Sequence, residues 1–125
     1  GSIVNVSSVA GLGAAAPQVS LYAISKAALN MLTKRMALEL GDSGIRVNGV
    51  CPGGTKTTLL AQGSEKIAPP TTNGVAIKNN ILGRIAEPSE IAEMIAFIAG
   101  PNASYLTGQI VTVDGGVLRF MSQSA

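Results

Sequence analysis

The chain has 125 residues, of which 46% are hydrophobic and 13% are charged, and its net charge is +2. This composition is typical of one packed globular domain and excludes disorder, and the scattered basic residues give no support to nucleic-acid binding. The sequence has no histidine and only one cysteine, Cys51, so we expect no metal site and no internal disulfide, and we expect a reducing compartment such as the cytoplasm. Because it has no long apolar run, we expect no membrane span.

The first half of the chain predicts a strand, a long helix and a second strand. Residues 2–7 contain the β-branched residues Ile3, Val4 and Val6, and we interpret them as a short strand of the kind buried on both faces of a parallel sheet. From Ser20 to Leu40, apolar residues recur at intervals of three, four and seven. This pattern predicts a helix with Ser20 as its N-cap, and Gly41 and Gly44 are predicted to end it. Residues 45–51 predict a second strand, so the three elements form a right-handed parallel βαβ unit.

The second half is irregular before it returns to a helix and a strand. Residues 54–86 are polar and rich in Thr, Gly and Pro, and a segment of this length in a compact chain is typically a lid or binding segment. A helix is predicted over residues 88–99, with Pro88 at its first position and Glu90 at the positive end of its dipole. The last strand is predicted over residues 110–113.

The fold class is therefore α/β, with three strands and two main helices. A three-stranded parallel sheet has two open edges, and two helices cover its faces sparsely. We expect further strands to come from residues outside this sequence or from another chain.

Tyr22 and Lys26 are the sharpest local feature of the sequence. Positions four apart share one helix face, so the phenol and the ammonium can lie side by side. The positive charge and the helix N-terminus both favour the phenolate, which suits Tyr22 to general acid–base catalysis. The alternative is an ordinary helix surface that carries the pair by chance, because the motif is short.

Hydroxyl groups follow both of the first two predicted strands. Ser7 and Ser8 close the first strand, and the segment 52–57 (Pro-Gly-Gly-Thr-Lys-Thr) leaves the second at the same end. The carboxyl ends of strands are where α/β folds assemble their sites. A serine there can bind a substrate carbonyl oxygen, and glycines let the backbone approach a flat ligand. Simple turn chemistry is the alternative for each motif taken alone.

Five motifs in this order resemble the short-chain dehydrogenase/reductase family. They are Asn-x-Ser-Ser, Tyr-x-x-x-Lys, Arg-Val-Asn, Pro-Gly-x-x-x-Thr and Gly-Gln-x-x-x-Val-Asp-Gly-Gly, at residues 5–8, 22–26, 46–48, 52–57 and 108–116. The resemblance implies the C-terminal half of a Rossmann-like doubly wound parallel sheet. Residues 1–125 would be a single partial domain with a catalytic segment (1–57), a substrate lid (58–86) and a C-terminal helix and strand (87–119).

The same resemblance implies a role for each site residue. Ser8 would hold the substrate oxygen, Tyr22 would exchange a proton with it, and Lys26 would assist Tyr22 and bind the nicotinamide ribose. Ser8 matches the family better than Ser7, because Val-Ala-Gly follows it. The cofactor-binding residues would be Tyr22, Lys26, Pro52, Gly53, Thr55 and Thr57. The reaction would be hydride transfer between NAD or NADP and a carbonyl or secondary alcohol.

The sequence also departs from the family, because its glycine-rich dinucleotide turn and Asn-Asn-Ala-Gly segment are absent. We therefore expect a C-terminal part of a longer enzyme, which binds a dinucleotide poorly by itself and whose whole form is a homodimer or homotetramer acting on a small molecule. The residue that selects NAD or NADP is also absent, so the choice between them stays open. The alternative is a non-catalytic half-domain that serves as an oligomerisation or interaction module.

Overall fold

The computed structural model describes residues 1–13, 19–57 and 80–118. The elements within them are, in chain order, β1 (Ser2–Val6), α1 (Ser20–Leu40), β2 (Arg46–Pro52), α2 (Pro88–Ala99) and β3 (Ile110–Val113). The three strands are parallel and lie in the order β1-β2-β3. The predicted α/β class is confirmed. β1 and β3 are the edges of this sheet, and the additional strands stay a prediction.

The helices α1 and α2 cover opposite faces of the sheet. Successive side chains of a strand point to opposite faces. In β2, the Cys51 thiol lies 3.5 Å from the Asn30 side-chain oxygen of α1, whereas the neighbouring Val50 forms an apolar cluster with Ile91 and Ile98 of α2. The main hydrophobic cluster of the described residues therefore lies between the sheet and α2.

The interface between α1 and the sheet is polar. Asn5 Nδ2 donates to Thr33 Oγ1 at 3.0 Å, and the Thr33 hydroxyl donates to the Leu29 carbonyl at 2.8 Å. Asn30 Nδ2 donates to the Gly11 carbonyl at 3.3 Å. These hydrogen bonds offset the cost of burying polar groups. Several large apolar side chains of α1 are exposed instead, namely Leu21, Ile24, Met31, Leu32 and Leu38.

The helices and strands agree with the sequence predictions except for single residues at the ends of β1 and β2 and the N-cap of α1. β1 ends at Val6, and β2 is shifted by one residue from its predicted limits. The predicted Ser20 cap is wrong, because Ser20 is the first helical residue and Val19 is the N-cap, without a side-chain cap hydrogen bond. A short 3-10 turn (41–43) follows α1 and ends at Gly44, whose φ of 69° suits glycine. Pro88 occupies the first turn of α2, as predicted.

The greater part of the predicted lid, residues 58–79, lies outside the described residues, as does residue 119 of the predicted C-terminal segment. Residues 80–86 form a turn that returns to the end of β2, where Ala86 makes an isolated parallel bridge with Thr55. No helix among the described residues is long and apolar enough to cross a membrane.

Candidate active site

The predicted site residues gather at the carboxyl edge of the sheet. β1 ends at Val6 and β2 at Pro52, and because the strands are parallel and adjacent, both chains leave the sheet at the same edge. Ser8 follows β1 by two residues. α1 brings Lys26 to this edge, where its ammonium donates to the Val6 carbonyl at 3.1 Å. This is the edge at which α/β folds place their ligands.

The two serines after β1 have different environments. Ser7 is 5% exposed, and its hydroxyl donates to the Lys26 carbonyl at 3.0 Å. Ser8 is half-buried, and its Oγ accepts a hydrogen bond from the Ala10 amide at 3.1 Å. A hydroxyl that accepts one hydrogen bond can still donate another. Ser7 therefore links the end of β1 to α1, whereas Ser8 is the N-cap of the 3-10 turn Val9–Leu12.

Tyr22 and Lys26 are in contact, as their spacing predicts. The Lys26 ammonium lies over the Tyr22 ring, 5.6 Å from its centroid, which is a cation–π arrangement. Tyr22 is 41% exposed, so part of its side chain is accessible to a ligand. Through its second contact, with the Val6 carbonyl, Lys26 connects the tyrosine to the end of β1. The geometry thus joins an accessible phenol, an ammonium and a strand end.

The glycine-rich turn after β2 passes close to the end of β3. The Gly53 amide donates to the Val113 carbonyl at 3.0 Å, and a Cβ on Gly53 would lie 2.8 Å from the Asp114 Cα. The absence of a side chain at Gly53 therefore lets this turn pack against the backbone that follows β3. Thr55 is half-buried and its hydroxyl donates to the Gly53 carbonyl at 3.2 Å, whereas Thr57 is exposed.

Sequence reasoning missed a group of charges next to this turn. The two Nη atoms of Arg84 donate to the two carboxylate oxygens of Glu90, each at 2.7 Å. These hydrogen bonds are the main reason that the pKa of Glu90 is lowered to about 2, with a smaller effect from the Glu87 amide, and Glu90 in turn raises the pKa of Arg84. Lys56 forms an ion pair with Glu87. In the sequence, this group is indicated only by the opposite charges of Arg84 and Glu90 on either side of Pro88, because Lys56 lies far away in the chain.

The side chains predicted for the site carry hydrogen-bonding groups. The hydroxyl groups of Ser8, Tyr22, Thr55 and Thr57 and the Lys26 ammonium are of the types that bind carboxamide, ribose and carbonyl oxygens. Neither α1 nor α2 follows a glycine-rich turn of the type that binds pyrophosphate. In the part of the chain that the structure describes, no group of three His, Cys, Asp or Glu residues could hold a metal ion.

Comparison with known sequences gives extensive matches. A family model described as enoyl-(acyl carrier protein) reductase matches residues 1–118. Oxidoreductase UcpA of Salmonella typhimurium is 43% identical over 119 residues, which are 93% of this chain and 45% of that protein. The 3-oxoacyl-[acyl-carrier-protein] reductase FabG of Thermotoga maritima is 42% identical over 118 residues, which are 94% of this chain and 46% of that protein. The chain therefore spans a little less than half the length of these curated relatives.

Solved structures agree with the same fold. A chain from Brucella melitensis 16M described as ribose-5-phosphate isomerase has a TM-score of 0.85 and 40% identity, and the match covers 94% of this chain and 44% of that one. A short chain dehydrogenase family protein of Francisella tularensis has a TM-score of 0.83 and 33% identity, over 94% of this chain and 51% of that one. The angucycline C-6 ketoreductase LanV with bound NADP has a TM-score of 0.80 and 34% identity, over 95% of this chain and 44% of that one.

Proposed function

Since the chain belongs to the short-chain dehydrogenase/reductase family, we propose that it is the catalytic half of an NAD(P)-dependent oxidoreductase that acts on a carbonyl or secondary alcohol. The observation that carries this proposal is the position of Lys26, whose ammonium contacts both the Tyr22 ring and the Val6 carbonyl. This contact joins the tyrosine to the strand end that Ser8 follows. Ser8, Tyr22 and Lys26 are the proposed catalytic residues.

Each of the three side chains has a distinct task in the proposed reduction. The Ser8 hydroxyl donates to the carbonyl oxygen of the substrate, and this hydrogen bond strengthens as negative charge develops there. Tyr22 gives its phenolic proton to the same oxygen, which completes the alcohol. A reduced nicotinamide held by the proposed cofactor-binding residues would supply the hydride to the carbonyl carbon. The Lys26 ammonium stabilises the resulting tyrosinate, and its hydrogen bond to the Val6 carbonyl keeps it in place.

The proposed contacts with NAD or NADP come from the nicotinamide-binding turn, which we define as residues 52–57. Pro52, Gly53, Thr55 and Thr57 match the family motif position by position, and Tyr22 and Lys26 complete the set. The support is the position of this turn beside the carboxyl end of β1, together with the NADP bound by the similar ketoreductase LanV. Gly53 acts in this proposal by letting the turn lie against Asp114.

The whole protein is proposed to be longer than this chain. The chain covers 45% of UcpA and 46% of FabG, and the proposed missing half would carry the dinucleotide turn. The exposed apolar residues of α1 support a homodimer or homotetramer, because water-exposed apolar patches of this kind mark interfaces. A reducing compartment such as the cytoplasm is consistent with the buried, free Cys51 thiol.

The same exposed face of α1 favours a second candidate, a non-catalytic half-domain that serves as an oligomerisation or interaction module. Leu21 is 84% exposed, Ile24 is 65% exposed and Leu38 is 72% exposed. These side chains would be covered in an assembly whether or not the protein turns over a substrate. The two candidates differ in what they predict for dinucleotide turnover.

The deciding experiment uses the polypeptide as it occurs in its source, with its intact mass measured first. We expect it to oxidise NADH or NADPH in the presence of small carbonyl compounds. Its failure to bind either dinucleotide at all would overturn the oxidoreductase proposal and favour the half-domain module. Conversion of a sugar phosphate without dinucleotide turnover would point instead to an isomerase, the description carried by one structural neighbour.

A further inference from the structure

The nicotinamide-binding turn is attached to the segment before α2 by a short backbone contact. The Lys56 amide donates to the Ala86 carbonyl at 3.0 Å, and the Ala86 amide donates to the Gly54 carbonyl at 2.9 Å. These bonds form a single parallel bridge between Thr55 and Ala86. A sheet is held by a ladder of many such bonds. One bridge is a small attachment, so neighbouring side chains contribute to how firmly the turn is held.

A chain of charged side chains reinforces this attachment. Lys56 pairs with Glu87, the residue that follows Ala86 and is the N-cap of α2. The Glu87 amide donates to the Glu90 carboxylate at 2.8 Å, and Glu90 is held by both Nη atoms of Arg84. A bidentate arginine–carboxylate pair is geometrically specific. The contacts therefore run from the nicotinamide-binding turn to the first turn of α2.

We propose that Lys56, Arg84, Glu87 and Glu90, which we call the clasp, act as positioning residues that hold the nicotinamide-binding turn in its cofactor-binding conformation. This inference rests on the proposed function. Thr55 and Thr57 flank Lys56, so restraining Lys56 restrains both proposed cofactor contacts. A turn that is already ordered loses less conformational freedom when a ligand binds. The clasp thus favours dinucleotide binding and does not take part in proton or hydride transfer.

A direct contact between the Lys56 ammonium and the negatively charged cofactor is the competing explanation, and a substitution at Glu87 distinguishes the two. In the clasp, Lys56 and Glu87 act as a pair, so the loss of either side chain loosens the turn. If Lys56 instead binds the cofactor, removal of Glu87 releases its ammonium and strengthens dinucleotide binding. Glu87→Gln therefore has opposite effects under the two explanations.

The test measures dinucleotide Kd, kcat and KM in the whole natural polypeptide for Lys56→Met and Glu87→Gln. We expect each single variant to raise the Kd about threefold, which is the size of effect typical of an exposed ion pair. The value of kcat at saturation stays within about twofold. The difference from the unsubstituted protein shrinks at high salt, because salt screens exposed charges.

Dinucleotide binding by two control variants and hydrogen exchange at two amides complete the test. Lys34→Met and Glu93→Gln alter exposed residues outside the clasp and are expected to leave the Kd unchanged. Hydrogen exchange at the Lys56 and Ala86 amides is expected to quicken in both single variants, which reports the clasp without any activity. Tighter binding by Glu87→Gln, or unchanged Kd and exchange in both variants, would overturn the clasp while the unsubstituted enzyme remains active. An unsubstituted protein that binds no dinucleotide would refute the proposed function itself, and this inference with it.

Discussion

Gly11 lies directly against the backbone of Lys26. A Cβ on Gly11 would stand 2.6 Å from the Lys26 carbonyl carbon and 2.7 Å from the Ala27 amide nitrogen. The Gly11 carbonyl also accepts the hydrogen bond from Asn30 Nδ2. Gly11 lies in a short 3-10 turn (Val9–Leu12) that has Ser8 as its N-cap, so the absence of a side chain at Gly11 allows this turn to pack directly against α1 at Lys26.

Gly11→Ala is expected to destabilise the protein by about 1–3 kcal/mol, the usual cost of forcing an extra carbon into a packed site. The clashing atoms belong to the backbone of α1, so no side-chain rotation relieves them. The activity of the folded variant should also fall, because α1 carries Tyr22 and Lys26. The measurement is urea unfolding alongside kcat. Gly41→Ala is the control, since a Cβ there meets nothing within 4 Å, and equal stability of the two variants would contradict the prediction.

Ser8→Ala and Ser7→Ala are expected to separate catalysis from stability. Ser8→Ala should lower kcat about 100-fold or more, in line with the loss of a hydrogen-bond donor to a developing oxyanion. Ser7→Ala should leave kcat within a few-fold and cost about 1 kcal/mol of unfolding free energy, because the lost hydroxyl donates to the Lys26 carbonyl. Steady-state kinetics and unfolding curves on both variants decide this. The reverse pattern would transfer the catalytic role to Ser7.

Tyr22→Phe is expected to lower kcat at least about 100-fold, which is the low end of what general acid–base catalysis contributes. Phenylalanine keeps the ring that lies beneath the Lys26 ammonium, so only the proton donor is lost. The measurement is single-turnover reduction at saturating dinucleotide, with circular dichroism to check the fold. Tyr105→Phe is the matched control, because Tyr105 is fully exposed. Full activity of Tyr22→Phe would rule out the proposed mechanism.

Glu90→Gln is expected to lower the Tm at neutral pH but not in acid. Hydrogen bonds from Arg84 lower the pKa of Glu90 to about 2 from its ordinary value of 4.5. Because the folded-state pKa is depressed, the stabilisation is complete above about pH 4.5 and disappears as the pH falls toward 2. The Tm difference between the two proteins should therefore narrow between pH 5 and pH 3.

Thermal unfolding across this pH series tests the prediction, with Glu93→Gln on the exposed surface of the same helix as control. A Tm difference for Glu90→Gln that stays constant down to pH 3 would show that the Arg84 pair does not account for the stabilisation.

The sequence alone determined the elements and the family. Helix limits at Ser20–Leu40 and Pro88–Ala99 follow from apolar spacing, from the prolines and from the glycines, all of which act on neighbouring residues. The contact between Tyr22 and Lys26 was predictable for the same reason, since a helix places residues four apart together. The catalytic roles of these residues stay predictions.

The tertiary structure decided what depends on distant parts of the chain. The polar side of α1 faces the sheet, where the Asn5 side chain of β1 donates a hydrogen bond to Thr33 of α1. The tertiary structure also gave Ser7 and Ser8 different environments, because only Ser7, the residue directly after β1, donates its hydroxyl to the Lys26 carbonyl. Lys56 and Glu87 stand 31 residues apart, and no local pattern joins them. Their pairing depends on the tertiary contact between the residues after β2 and the residues before α2, which sequence spacing does not reveal.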